Sequence, residues 1–355
     1  MKRALLLLLS LPVLAADPPA PVRIPAAKPP VLDGRIDEAE WKDAALLKAK
    51  GLTLRVLRDD QALYLALETS SACTAQEELY VLLGAGAAAA PGTGDLQLGF
   101  APLAIQHPPW TESRGDGKSW TPVPAPSGWT ARASYASPGC LQVEFAVSLA
   151  RLPSRTALRL GVLFSGEADT ALPEGANLYA PDSWTELAPA PGEGLPAGDA
   201  KAFDAAFRVP EELERARQCR ESVVAARARH EEVAKQKDPP KTQAEQTALG
   251  QALEAADRGY AKAAALEPGN PILHFDHAST LIIKRDLDAA IAELEETCRL
   301  APGVPRFDQR LYGICMTAGR FPRALELAEA TLKAHPERFD DWFLRAQARF
   351  ALQDY

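Results

Sequence analysis

Two periodicities divide the chain. In the N-terminal half apolar and polar residues alternate. Leu52, Leu54 and Val56 are interleaved with Thr53 and Arg55, and Leu63, Leu65 and Leu67 follow the turn at Asp59-Asp60. Further on, Leu141, Val143, Phe145 and Val147 oppose Gln142, Glu144 and Ser148, and Leu158, Leu160, Val162 and Phe164 form a similar stripe. A period of two puts each apolar set on one face of a strand. Short runs of this kind, separated by turn residues and without a long helix among them, predict a mostly antiparallel β-sandwich. The second periodicity is 34 residues long: Pro268, Pro302 and Pro336 recur at that interval, with Ala256, Ala290 and Ala324 twelve residues before them and Tyr260, Leu294 and Ala328 eight before. Proline cannot continue a helix and pushes the preceding residue out of the helical region, so a proline at constant phase ends the second helix of each unit. Small residues at constant phase let paired helices approach closely. The C-terminal half is therefore predicted to be a stack of helical hairpins.

This stretch resembles the tetratricopeptide repeat family, whose pattern is matched by Gly319, Phe321, Ala324 and Pro336 in the unit 305–338. The resemblance covers about a third of the chain and implies a protein-binding scaffold. Two features depart from it. Asp238-Pro239-Pro240 interrupts the place of a first helix before the unit ending at Pro268, which makes the charged helix from Glu211 to Lys235 its expected partner. Thr242 with Glu245 three residues later reads as a capping box that opens the next helix. At the other end, Phe339 to Tyr355 reads as a first helix with Trp342 in the family's aromatic position. Its apolar face then belongs either to a natural cap or to a longer array.

The N-terminus changes the picture in another way. Lys2 and Arg3, a leucine-rich run through Leu9 and the small-residue exit Val13-Leu14-Ala15 read as a secretory signal over residues 1–16, too short to span a membrane. The expected domains are thus a signal peptide at 1–16, the β-sandwich at 17–188, a Pro/Gly/Ala-rich linker at 189–210 and helical repeats at 211–355, the last one incomplete. With 39 basic against 47 acidic residues the net charge is −8, and more negative once Lys2 and Arg3 are removed, which argues against a nucleic-acid partner. The five cysteines are an odd number. Cys73 and Cys140 share the sandwich, and Cys298 and Cys315 fall on consecutive helices, but no paired framework is visible, and the pattern favours buried free thiols. None has zinc-site spacing.

Within the sandwich, Pro30-Val31-Leu32-Asp33-Gly34-Arg35-Ile36-Asp37-Glu38-Ala39-Glu40-Trp41, followed by a hairpin whose second strand begins Ala62-Leu63-Tyr64, resembles the opening of family 9 carbohydrate-binding modules and their DOMON-like relatives. Asp33-Gly34 suits a tight turn, Asp37 a cap and Trp41 a plug at one end of the sandwich. The resemblance implies a fold first and a carbohydrate, such as a cell-envelope glycan, as ligand. Sugar binding calls for exposed aromatic rings ringed by polar side chains. The loop region Gln106 to Gly128 offers Trp110 and Trp120 among Glu112, Arg114, Asp116 and Lys118, and Trp184 lies where the family places a ligand-clasping tryptophan. The alternative for each is burial at the core edge or against the helices. The run Gly84-Ala85-Gly86 with four alanines departs from the polar residues common at that point in the family. Structural calcium occurs in the family, yet no acidic cluster here has an assignable spacing. Haem, held by some relatives, needs Met or His ligands, and this domain has no methionine and only His107.

For the repeats, the resemblance places partners on the concave face built by the first helix of each unit. In this chain that face carries Phe275, Ser279 and Ile282, then Arg306, Gln309 and Met316, then Asp340, Phe343 and Phe350. The alternative for Ile282, Met316 and Phe350 is completion of the superhelix core. His274 and His277 share a helix at a spacing of three, with no third metal ligand evident. No hydrolase constellation, HExxH, GxSxG or phosphate loop appears. The reading is an exported, non-enzymatic adaptor without cofactor. It binds carbohydrate through Trp110, Trp120 and Trp184 and protein through Phe275, Arg306, Gln309 and Phe343. Its competitors are a pure protein scaffold and an accessory part of a carbohydrate-degrading system.

Overall fold

The computed structural model describes residues 21–69, 78–86, 88–100, 110–124, 127–137, 140–156, 158–165, 170–189, 193–235, 242–334, 336–337 and 339–353. The expected signal segment 1–16, Cys73, His107 and Asp238-Pro239-Pro240 lie outside them. Among the described residues, thirteen strands come first. They are β1 (Val22–Arg23), β2 (Ala45–Ala49), β3 (Leu52–Arg58), β4 (Ala62–Thr69), β5 (Glu78–Gly84), β6 (Leu96–Phe100), β7 (Trp110–Gly115), β8 (Trp120–Pro122), β9 (Trp129–Ser137), β10 (Cys140–Ser148), β11 (Leu158–Ser165), β12 (Thr170–Leu172) and β13 (Thr185–Ala188). They form two sheets. One has the order β1-β13-β11-β5-β6-β7-β8, with β12 also paired to β11, and the other has the order β2-β3-β4-β10-β9. All pairings are antiparallel except β1 with β13.

The four apolar stripes read from the sequence are buried in the sandwich core, those of β3, β4 and β10 side by side in the second sheet and that of β11 in the first, and across the core Phe100 meets Phe145 edge-on at 5.8 Å. Two buried carboxylates tie distant segments to this frame. Glu144, on β10, points away from the core stripe. It accepts hydrogen bonds from the backbone N–H of Asp33 (3.0 Å) and Gly34 (2.9 Å) and from the Trp41 indole (3.0 Å). Gly34 has φ +87°, and a β-carbon there would lie 2.6 Å from the Ala133 backbone, so glycine is required by both conformation and space. The Asp-Gly…Trp motif is thus a strap clasped over the outer face of the second sheet, and Trp41 covers that face rather than one end of the sandwich. Glu112, on β7, binds Arg151 (2.5 Å) and Arg114 (3.2 Å).

The stretch read as a loop around Trp110 and Trp120 is strand. Trp110 pairs opposite Phe100 and packs on Trp129 at 5.4 Å, while Asp116-Gly117-Lys118 turns the chain into β8. The large aromatics decide for extended structure, and the glycines occupy the turn.

Among the described residues, eight α-helices follow: α1 (Ala200–Ala206), α2 (Val209–Ala234), α3 (Gln243–Leu266), α4 (Pro271–Lys284), α5 (Leu287–Leu300), α6 (Pro305–Thr317), α7 (Phe321–Ala334) and α8 (Phe339–Leu352). Residues 193–210, expected as linker, include all of α1 and dock on the sandwich. Leu195 and Phe203 are buried, Leu195 N–H bonds the Arg155 carbonyl, and the Asp204 carboxylate accepts from Gly128 N–H at 2.7 Å. From α2 to α8 each helix packs on the next. Ala256, Ala290 and Ala324 are fully buried at these seams, as close helix approach demands. Both halves of the Thr242/Glu245 capping box are formed. The charged helix α2 is the partner of α3, as the sequence implies. No described helix is long and apolar enough to cross a membrane.

The two halves meet along β9, an edge strand of the second sheet, where Arg132 pairs with Glu212 of α2 at 3.0 Å. Covering the edge with helices removes an exposed pairing surface. A cavity of about 250 Å³ remains at the seam, lined by Phe100, Trp110, Arg132, Arg215 and Glu267 among others.

Candidate functional site

The outer face of the first sheet carries an aromatic pair. Trp184 follows the turn Pro181–Ser183, and its ring lies over two glycines on neighbouring strands. A β-carbon at Gly84 or Gly161 would lie 2.9 or 3.0 Å from the indole. Trp120, at the start of β8, lies parallel to Trp184, with ring centroids 6.4 Å apart and planes within 11°. Both indoles donate to one loop: Trp184 Nε1 to the Asn177 carbonyl at 2.8 Å and Trp120 Nε1 to the Leu178 carbonyl at 3.0 Å. That loop is locked locally, because Asn177 Oδ1 accepts from Tyr179 N–H (2.8 Å) and Ser183 Oγ joins the Asn177 N–H to the Ala180 carbonyl. The pair is therefore held rigidly before any ligand arrives.

Exposure separates the three tryptophans. Trp184 is buried at 3 %, Trp120 is half-buried, and Tyr179 beside the loop is 53 % exposed. Asn177, Asp182, Asp116 and Lys118 are exposed around them. Trp110 stands apart from this group. At 7 % exposure, in contact with Trp129 and at the far end of β7 from Trp120, it borders the seam cavity rather than the outer face of the sheet. The structure brings Trp120 and Trp184 together and leaves Trp110 as a core residue, because its strand turns it into the seam between sandwich and helices. Tyr179 was not singled out by the sequence; its only signal is an aromatic residue two positions before Pro181-Asp182.

On the helical half, Phe275 of α4 is 8 % exposed and packs on Phe307 of α6 at 5.2 Å. The Arg306 guanidinium sits 4.6 Å from the Phe275 ring centre, a cation–π contact that leaves the arginine exposed. Gln309 is exposed at the rim of a small recess shared with Tyr312 and Leu344. Phe343 is 59 % exposed on α8, whose face also shows Phe339, Trp342 and Phe350. Ile282 and Met316 pack against the core, whereas Phe350 does not complete it. The four residues expected on the concave face thus span three helices, with Phe275 buried and the other three reaching solvent.

His274 and His277 face carboxylates of neighbouring helices, and no group of three His, Cys, Asp or Glu side chains among the described residues is arranged to hold a metal. Cys219, Cys298 and Cys315 are free thiols. Burial, the largest cause in each case, pushes Cys219 and Cys298 up to about 12 and raises Cys315, which keeps all three protonated and unreactive at neutral pH.

No family model matches the chain, and no curated protein matches it. Among solved structures it is similar to a family 9 carbohydrate-binding module from Caldicellulosiruptor kristjanssonii in complex with cellotriose. The identity is 15 % over 47 % of this chain and 92 % of the other, with a TM-score of 0.34. It is also similar to a thermophilic TPR protein of Thermus thermophilus, at 18 % identity over 43 % of this chain and 77 % of the other, with a TM-score of 0.30.

Proposed function

We propose that this protein is a non-enzymatic adaptor that holds carbohydrate on its β-sandwich and a protein segment on its helical array. The observation that carries the carbohydrate half is the parallel Trp120–Trp184 pair, locked by two indole hydrogen bonds and flanked by exposed Tyr179. A pyranose has one apolar face, and a half-exposed indole backed by a second, immobile ring is a stacking platform that loses little entropy on binding. Asn177 and Asp182 supply hydrogen-bonding groups at its border. The protein half rests on Phe275, Arg306, Gln309 and Phe343, which combine an aromatic floor with a cation and an amide suited to a peptide backbone. The leader-like residues 1–16 support an exported location.

The test is a glycan-array screen of the full chain, followed by calorimetry on any hit with Trp120→Ala and Tyr179→Ala. Loss of binding in both, with unchanged circular dichroism, supports the reading. A second reading is favoured by the depth of Trp184: the pair is a structural plug over Gly84 and Gly161, and the sandwich serves only to carry the helices. A silent array together with destabilisation by Trp120→Ala establishes that alternative.

A further inference from the structure

The middle of the helical array contains a chain of ionisable groups that no binding role uses. His277 of α4 is placed between two carboxylates. Its Nε2 lies 2.6 Å from Asp257 Oδ1 on α3, and its Nδ1 lies 3.1 Å from Glu293 Oε1 on α5. The other Glu293 oxygen lies 2.7 Å from His274 Nδ1, one turn earlier on α4. The second Asp257 oxygen meets Lys284 Nζ at 2.5 Å, at the C-terminal end of α4. Lys284, Asp257, His277, Glu293 and His274 thus make one continuous line that crosses three helices. The two imidazoles are largely shielded from solvent, with side-chain exposures of 10 % for His277 and 13 % for His274.

We propose that this line is a proton-controlled latch that fixes α4 between α3 and α5 when its histidines are protonated and releases it when they are not. A neutral imidazole has one N–H and one lone pair. At His274 both ring nitrogens face acceptors, Glu293 at Nδ1 and the Pro268 carbonyl at Nε2 (3.4 Å), so only the imidazolium donates to each; at His277 Nε2 hydrogen-bonds Asp257, while Nδ1 makes no hydrogen bond and meets Glu293 through charge alone, which the neutral ring lacks. The groups facing His277 are Asp257 and the ring of Tyr260 from α3 (6.0 Å), Glu293 from α5, and Lys284 and His274 on α4 itself. Glu296 of α5 adds negative charge near His274. Along an adjoining stripe of α4, helix α2 bonds Asp276 through Arg227 (2.6 Å) and Thr280 through His230 (3.2 Å). That second seam keeps α4 in the array while the latch opens.

The electrostatics agree in sign. Burial lowers both histidines, yet the negative charge of Glu293, with Asp257 at His277, more than reverses it, so both are raised above 6.5. Glu293 is held down to about 2 by the same two rings against its own burial. A histidine raised in the folded state contributes stability that is complete below 6.5 and is lost as pH rises through its folded value. Phe275 and Arg306 stand on α4 and on the next first helix, so an opened latch loosens the floor of the proposed protein groove. The latch itself does not depend on that reading.

The test is hydrogen exchange of the full chain between pH 6 and pH 8, corrected for intrinsic exchange, with α7 as internal control because it carries no histidine. Protection of α4 is expected to fall with pH while that of α7 stays level, and His277→Gln is expected to flatten the α4 profile. Equal behaviour of α4 and α7, or an unchanged slope in the variant, overturns the proposal. Imidazole NMR titration of the unmodified protein gives a check that needs no variant: both rings must titrate above 6.5. Titration at or below 6.5 overturns the proposal, as does tightening of α4 by added Zn²⁺ at pH 8, which would make the cluster a metal site.

Discussion

The sandwich and the helical array solve the same problem, burying a weakly charged apolar face, with opposite logic. In the sandwich the decisive contacts are remote in sequence: Glu144 clasps Gly34, and β4 pairs with β10. In the array each helix touches its neighbours in the chain, and its seams are kept by alanines at constant phase. Remote contacts make a unit that forms or fails together, whereas neighbour contacts make a unit whose parts yield one at a time. The chain carries its own reporters for the two. Trp41, Trp110, Trp120, Trp129 and Trp184 lie in the sandwich and Trp342 in α8, so indole fluorescence follows the first half while helical circular dichroism follows the second.

The largest effect should come from Glu144→Leu. It leaves two backbone N–H groups and the Trp41 indole without an acceptor, a loss of about 3–5 kcal/mol. The fluorescence midpoint in urea should collapse well before the helical signal does; coincident collapse of both signals would mean that the two halves form one cooperative unit. A second effect, on the order of 3 kcal/mol, is expected from pH alone. Burial pushes the Glu144 carboxyl up to about 7 against the donors that pull it down. The folded state therefore keeps this proton longer than the unfolded chain, whose carboxyl titrates near 4.5. Stability of the sandwich should be complete below about 4.5 and decline as pH climbs to about 7, and Glu144→Gln should remove the slope. Ala290→Leu, which overfills a fully closed helix seam, should cost about 1–3 kcal/mol and move the dichroism midpoint without moving fluorescence. The smallest effect belongs to Arg323→Ala. It breaks the half-exposed α7–α5 pair with Glu295 at 3.0 Å and should change the dichroism midpoint by less than about 1 kcal/mol. A larger shift there would show that the array relies on its surface ions as much as on its alanines.

The sequence made the two folds legible because each advertises a period: the alternating stripes from Leu52 to Phe164 and the 34-residue beat of Pro268, Pro302 and Pro336. What it hid was whatever depends on a partner far along the chain. The Asp33-Gly34…Trp41 motif is visible, but its reason is Glu144, which reads as an ordinary polar position of an alternating strand. Trp110 looked like a loop residue because Pro108-Pro109 precede it and Gly115-Asp116-Gly117 follow it, and those local signals outweigh a strand of six residues. The sequence groups Trp120 with Trp110 and sets Trp184 apart; that Trp120 and Trp184 lie parallel depends on the strand order and on the loop before β13, which no local pattern contains. The spacing of His274 and His277 was plain, while the carboxylates that give them meaning sit on two other helices.

Gly84 and Gly161 tie the descent of this face to a single ring. Each would be an unremarkable weak spot in a strand, yet together they are the mould into which one indole is cast. Three positions, at the end of β5, in the middle of β11 and just before β13, are therefore bound into a single inherited character. A related protein that gains a side chain at either glycine should have surrendered the tryptophan, and one that keeps the tryptophan should keep both gaps, so the presence of all three marks which kin retain the stacked indoles.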